Sequence, residues 1–198
     1  MAPDLQAAKR RLRQSLGAQR RAVAPGDAET AAESAARHLF ADSSLLAADR
    51  VAAYAALRDE LPTRALLDSL MAAGKVLLLP RVDPDGRLAF CAVERWADLV
   101  LGPHGVLGPP EGSARIQLGR GDIAIVPGVA FDPEGWRLGR GGGSYDRAFP
   151  PEAANPPLLY GLGYEFQVVA SVPHGSRDRR MDAIVTERGI RRRARASS

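Results

Sequence analysis

Between Pro127 and Phe149 the chain reads PGVAFDPEGWRLGRGGGSYDRAF, where Arg137 and Arg140 are interleaved with Gly139, Gly141, Gly142 and Gly143. Glycines lack the Cβ that keeps a backbone away from a ligand, and they can turn successive N–H groups toward one anion. Guanidinium forks add charge-assisted donors suited to phosphate oxygens. The stretch reads as an anion cradle, with a structural hairpin as the plainer alternative for any glycine run. It matches neither common phosphate signature: no Gly-Lys is followed by Ser or Thr, and Ser144 stands where a dinucleotide fingerprint needs glycine. Asp146, just after Tyr145, is expected to open a helix whose positive end faces the same anion. In RDRRMDAIVTE, Asp178 and Asp182 are four residues apart. Carboxylates beside a phosphate loop are what magnesium requires, although turn and cap residues have the same composition. Near the N-terminus Lys9 and Arg13, spaced i, i+4, project from one side of a helix, and Arg20 follows two turns later. A solvated basic face is the competing reading of those cations.

These groups need elements to hold them. Leu5, Ala8, Leu12 and Leu16 form a narrow apolar stripe that predicts a first helix with Asp4 as N-cap. Pro25 to Phe40, rich in alanine, predicts a second, opened by Pro25 or Asp27. Arg50–Tyr54, Lys75–Pro80, Leu88–Val93, Asp122–Pro127, Leu158–Leu162 and Ala183–Thr186 read as strands, and Thr63–Ala73 as an amphipathic helix stopped by Gly74. Apolar runs without alternation imply strands buried on both faces, in a parallel or mixed sheet flanked by helices. The fold class is therefore α/β, a single three-layer domain over residues 1–190. In such sheets ligands bind beyond the carboxyl ends of strands, which is where the glycine loop follows DIAIVP.

Apolar residues at 45% and charged ones at 25% are those of an ordinary globular protein. No apolar run approaches the ~20 residues that span a bilayer, and the first residues lack the apolar core of a secretion signal. A cytoplasmic protein with no membrane partner is expected. The single cysteine, Cys91, in LAFCAV, reads as a small core residue in a reducing compartment. The formal charge of +4 points to an anionic partner. Residues 191–198 read as a basic, disordered tail; without aromatic residues to stack on bases, nucleic acid is not the expected partner. His38, His104 and His174 share no metal spacing and read as surface or loop residues.

Taken together, the phrases resemble the 5-formyltetrahydrofolate cyclo-ligase family, also called methenyltetrahydrofolate synthetases. The likeness runs in order from Lys9 and Arg13 through VAAYAALRDELPT, LLLPRV with Arg81, and VPGVAFDPEGWRLGRGGGSYDR to DRRMDAIVTE. The glycine phrase is specific to the family; the basic pair alone is not. The resemblance implies a Rossmann-like layout of the NagB/RpiA/CoA-transferase-like kind and a monomer. It implies ATP-dependent closure of 5-formyltetrahydrofolate to 5,10-methenyltetrahydrofolate through a phosphorylated formyl intermediate, with a repurposed, non-catalytic nucleotide- or folate-binding relative as the alternative. By position, Lys9, Arg10 and Arg13 would bind ATP together with Arg137, Leu138, Gly139, Arg140, Gly141, Gly142, Gly143, Ser144 and Tyr145. Lys9 and Arg137 would be the cations at the γ-phosphate. Ala55 and Glu60 would contact the folate with Arg140 to Ser144, and Asp146 and Asp182 would hold Mg2+. The chain departs from the family where Ser144 replaces an aromatic residue and Gly108 replaces a glutamate, which bears on folate contact rather than on reaction class.

Overall fold

The stripe of Leu5, Leu12 and Leu16 does form a helix, α1 (Leu5–Ala22), and the Asp4 carboxylate caps it by accepting the Gln6 amide. This computed structural model describes residues 4–102, 105–176 and 178–193. Helix α2 (Pro25–Phe40) starts with proline at its first position, where the missing N–H costs nothing. A short α3 (Ser43–Ala47), capped by Asp42, leads to β1 (Arg50–Ala52). Helix α4 (Arg64–Ala72) stops before Gly74, at φ +74°, and β2 (Val76–Val82) and β3 (Leu88–Ala92) follow as an antiparallel pair. Next come β4 (Val100–Leu101), β5 (Leu107–Gly108), β6 (Ile123–Pro127), β7 (Ala130–Phe131) and β8 (Arg137–Leu138). The chain continues through α5 (Ser144–Ala148), β9 (Leu158–Leu162), β10 (Ala183–Thr186) and β11 (Gly189–Arg192).

Seven of these strands form one mixed sheet in the order β11-β10-β9-β6-β1-β2-β3. The five central strands are parallel, and β3 and β11 close the two edges antiparallel. Both faces are buried, as the unalternating apolar runs predict. Leu77, Leu79, Ile123 and Ile125 pack with Leu39, Leu67 and Leu70 of the helical layer, whereas Leu78, Ala124 and Val126 point to Phe131, Phe149 and Met181 on the other side. That second layer is made of α5, the β7–β8 ribbon and loops rather than long helices.

Two sequence expectations change, and the Gly108 departure gains a physical reason. Residues 191–198 are not all tail: Arg191 and Arg192 belong to β11, whose residues pair with β10 from Thr186↔Gly189 to Ala183↔Arg192. Salt bridges from Arg191 to Glu165 and from Arg192 to Asp42 fix this polar edge strand; residues 194–198 lie outside those described. Helix α5 starts at Ser144 and is only five residues long, so it contributes little dipole to an anion. Gly108 lies flat against β2, where an added Cβ would stand 2.8 Å from the Pro80 carbonyl oxygen. A glutamate there would require the β4–β5 hairpin to move.

Candidate active site

Strands β1 and β6 are neighbours in the sheet, but the chain leaves β1 for β2 on one side and reaches β6 on the other. This is the switch point beyond which α/β sheets bind ligands. A cavity of about 1110 Å3 opens there, at the upper end of the size of ordinary ligand sites. Its floor is formed by Tyr54 and Ala55 after β1, Pro80 and Val82 of β2, and Pro127 and Gly128 at the end of β6. The glycine loop and Lys9 and Arg13 of α1 line the same cavity.

The loop is held at its base. Arg137, on β8, donates to the Pro127 carbonyl (3.1 Å) and to Asp146 (2.8 Å), with its side chain only 4% exposed. Arg13 Nε donates to the Gly139 carbonyl at 2.8 Å, tying α1 to the loop. Gly141 has φ +117°, a conformation that side-chain-bearing residues rarely adopt. On the same helix face Lys9 Nζ sits 2.6 Å from Asp178 Oδ2. Across the cavity, Arg140 reaches from the loop to the segment after β1, with Nη2 at 2.5 Å from Asp59 and Nε at 3.1 Å from Glu60. Buried Arg20 supports that segment from below through the Asp59 carbonyl and carboxylate, both at 2.7 Å. Glu60 gives its second oxygen to the Leu57 amide at 2.9 Å. The cavity thus carries three cation–carboxylate pairs, Lys9–Asp178, Arg137–Asp146 and Arg140–Asp59/Glu60. This keeps strongly charged groups ordered at low net charge.

Burial, reinforced by the negative field of Glu60, pushes the Tyr54 and Tyr145 phenols well above the usual tyrosine value. Both remain protonated donors at neutral pH. Burial also pushes the Asp178 carboxyl up, but Lys9 and the Gly175 amide outweigh it and hold it below the usual range.

Of the residues singled out from sequence, Lys9, Arg13, Ala55, Glu60, Arg137 to Tyr145 and Asp146 all line this one cavity. Arg10 does not: one residue on from Lys9, it faces elsewhere, its side chain 64% exposed and 3.8 Å from Asp4. Asp182 does not either. It precedes β10 and pairs with Leu159, accepting that residue's amide at 2.9 Å, and its other oxygen faces Arg193 at 3.6 Å. That position is three residues back along the strands from Pro127, roughly 10 Å below the cavity floor. Asp146 and Asp182 therefore do not converge as a pair of magnesium ligands, and among the described residues no cluster of three or more His, Cys, Asp or Glu forms a metal cage. Asp146 stays at the cavity wall, and magnesium carried by a polyphosphate needs only one or two carboxylates. Cys91 is buried in the core, His38 faces the Glu187 carbonyl, and His174 stacks on Trp136 at 3.7 Å; His104 lies outside the described residues. Sequence reasoning did not single out Tyr54 or Asp59, although both lie in VAAYAALRDELPT beside Ala55 and Glu60. Asp178 was noticed only as a possible partner of Asp182.

Known proteins are similar to this chain in sequence and fold. The model of the 5-formyltetrahydrofolate cyclo-ligase family matches residues 5–187. A 5-formyltetrahydrofolate cyclo-ligase of Escherichia coli K12 is 31% identical over 170 residues, 84% of this chain and 93% of the relative. The solved structure of a 5,10-methenyltetrahydrofolate synthetase from Aquifex aeolicus superposes with a TM-score of 0.82 at 29% identity, covering 96% of this chain and 95% of that one. A 5,10-methenyltetrahydrofolate synthetase from Mycoplasma pneumoniae, at 18% identity and a TM-score of 0.71, shares the fold. With glycine loop, basic helix face and acidic wall gathered at one sheet switch point, and a family match across 5–187, the chain belongs to the 5-formyltetrahydrofolate cyclo-ligase family.

Proposed function

We propose that this protein closes the ring of 5-formyltetrahydrofolate, using ATP, to give 5,10-methenyltetrahydrofolate, ADP and phosphate. The formyl oxygen attacks the γ-phosphorus and the bond to the bridging oxygen of ADP breaks. The N10 lone pair then attacks the formyl carbon, the carbon–oxygen bond breaks, phosphate leaves and N10 loses its proton. Phosphorylation is needed because an amide-like oxygen is a poor leaving group. The substrate supplies both nucleophiles, so the protein contributes positioning and charge stabilisation.

One observation supports this reading: a single cavity of about 1110 Å3 is lined by the glycine loop with Lys9 and Arg13 and also by Glu60 and the segment after β1. The loop amides, Lys9 and Arg13 suit a triphosphate. Glu60, whose carboxylate can accept two N–H groups, suits the 2-amino-pyrimidinone edge of a pterin, with Ala55 beside it and Tyr54 and Tyr145 as donors that stay protonated. Arg137, nearly buried, acts by holding Asp146 and the strand end in place more than by reaching the γ-phosphate itself. Mg2+ entering with the nucleotide would be met by Asp146 and would neutralise phosphate charge. We place the enzyme in the cytoplasm; among the described residues no helix is long and apolar enough to cross a membrane.

The test is direct. Protein mixed with 5-formyltetrahydrofolate, ATP and magnesium should develop the near-ultraviolet absorbance of the methenyl product, in an ATP-dependent manner. Binding of both compounds without that absorbance would identify a non-catalytic relative instead.

A further inference from the structure

Arg140 makes two contacts on the open side of Glu60, and one of them competes with folate binding there. Its Nε occupies the outer oxygen of Glu60 at 3.1 Å, and its Nη2 holds Asp59 at 2.5 Å. Glu60 is otherwise enclosed: its side chain is 9% exposed, its inner oxygen takes the Leu57 amide, and Arg20 lies 3.9 Å away beneath it. Arg140 is the half-exposed group on its open side, at 47%. A ring edge approaching Glu60 therefore has to lift Arg140 off. The loop that carries Arg140 is tied on one side by Arg13 to the Gly139 carbonyl and on the other by Arg147 to the Gly142 carbonyl, both at 2.8 Å, and between these ties the residue after Arg140 is a glycine in a left-handed conformation.

We infer that Arg140 is a latch between the two substrate subsites, with Asp59 as the positioning residue that holds it closed. The inference rests on the reading of Glu60 as the folate carboxylate. Folate arriving at Glu60 displaces the guanidinium, which is then free to turn toward the triphosphate on its own loop. ATP arriving first draws the same guanidinium away and uncovers Glu60. Each substrate thus removes a contact that the other would have to break, and binding is reciprocally synergistic. Asp59 serves this better than Glu60 alone could: one of its oxygens is fixed by buried Arg20 and the other is offered to Arg140, so it survives as an anchor when Glu60 changes partners. The Asp59 carboxyl agrees. Burial pushes it up, yet Arg140 and Arg20 outweigh that and hold it below the usual range.

Titration calorimetry with 5-formyltetrahydrofolate and a non-hydrolysable ATP analogue with magnesium tests the latch. In the wild-type protein each ligand should tighten the other at least about fivefold, the lower end of ordinary coupling. Asp59→Asn keeps an acceptor oxygen for Arg20 but removes the charge that holds Arg140. It should bind folate alone more tightly than wild type and show a coupling factor reduced toward one. Arg140→Met, at a half-exposed position that the fold tolerates, should abolish the coupling while tightening folate alone. Wild-type coupling in both variants, or weaker folate binding in both, overturns the latch. Glu60→Gln separates the two levels of argument. If it leaves folate affinity unchanged, the placement of folate at Glu60 is wrong; if it weakens folate while Asp59→Asn and Arg140→Met keep wild-type coupling, only the latch is wrong.

Discussion

Replacing Lys9 by methionine separates a phosphate-binding cation from a structural one. Lys9 Nζ lies 2.6 Å from Asp178, with side chains 12% and 18% exposed, so the pair is partly shielded but faces the cavity. If Lys9 also serves the triphosphate, the variant loses a charge-assisted contact of about 1.5–3 kcal/mol. At about 1.4 kcal/mol per tenfold, kcat/KM for ATP falls roughly 10- to 150-fold. The stranded Asp178 carboxylate adds to this. Two like charges ~6 Å apart at an effective dielectric constant of about 20 repel by about 3 kcal/mol before salt screens them. The Lys9→Met variant should therefore sit toward the severe end of that range, and Lys9→Met with Asp178→Asn should recover roughly tenfold by removing the repulsion. The assay is the initial rate of methenyl absorbance against ATP concentration at saturating folate, run beside urea unfolding of each variant. A single variant with a lowered urea midpoint but kcat/KM for ATP within twofold of wild type would show the pair to be structural only. A double variant no better than the single one would remove Asp178 from the electrostatic argument.

Three further outcomes are expected. Arg20→Met, which leaves Asp59 without its buried partner and the Glu60 segment without support, should lower stability by about 3 kcal/mol in urea unfolding. Gly141→Ala forces a Cβ onto a backbone at φ +117° and should cost roughly 1–3 kcal/mol of loop conformation, read as weaker ATP-analogue binding with the urea midpoint nearly unchanged. Asp59, Glu165 and Asp178 all titrate below the usual carboxylate range, because hydrogen bonds from Arg140, Arg191 and Lys9 respectively outweigh burial. Folded values below unfolded ones mean stabilisation that is complete above about pH 5 and lost as pH falls through the unfolded and then the folded values. Urea midpoints between about pH 5 and pH 3 should accordingly fall less steeply in Asp178→Asn than in wild type, and parallel profiles would count against Asp178.

Much of the fold could be read locally because its signals are local. Pro25 at the first helical position, the continuous apolar runs of β9 and β10, and the Asp4 cap each specify their element without help from distant residues. The elements that escaped have no such signal. GIRR carries one apolar residue, and it is a strand only because a tight turn after Thr186 lays it against β10 and two carboxylates receive its arginines. Helix α3 is five residues long, too short for a period to show. In the site, the glycine loop was legible from its own composition and from the buried strand β6 shortly before it, with only the β7–β8 ribbon between. Arg10 and Asp182 lie outside the cavity because adjacency in a motif says nothing about direction: one residue of helix rotates a side chain off the face, and the amino end of β10 lies toward the opposite end of the parallel strands from the cavity.

The sequence by itself determined the buried strands of the main sheet, the principal helices and the composition of the glycine and arginine loop. These depend on periods, caps and residue chemistry within a few positions. Only the tertiary structure decided which carboxylate answers each cation. Lys9 meets Asp178 across 169 positions and Arg140 meets Glu60 across 80. Such pairs are selected by where the parallel sheet brings its loops, and by the cost of leaving a half-buried charge unpartnered, neither of which is written in any short stretch of chain.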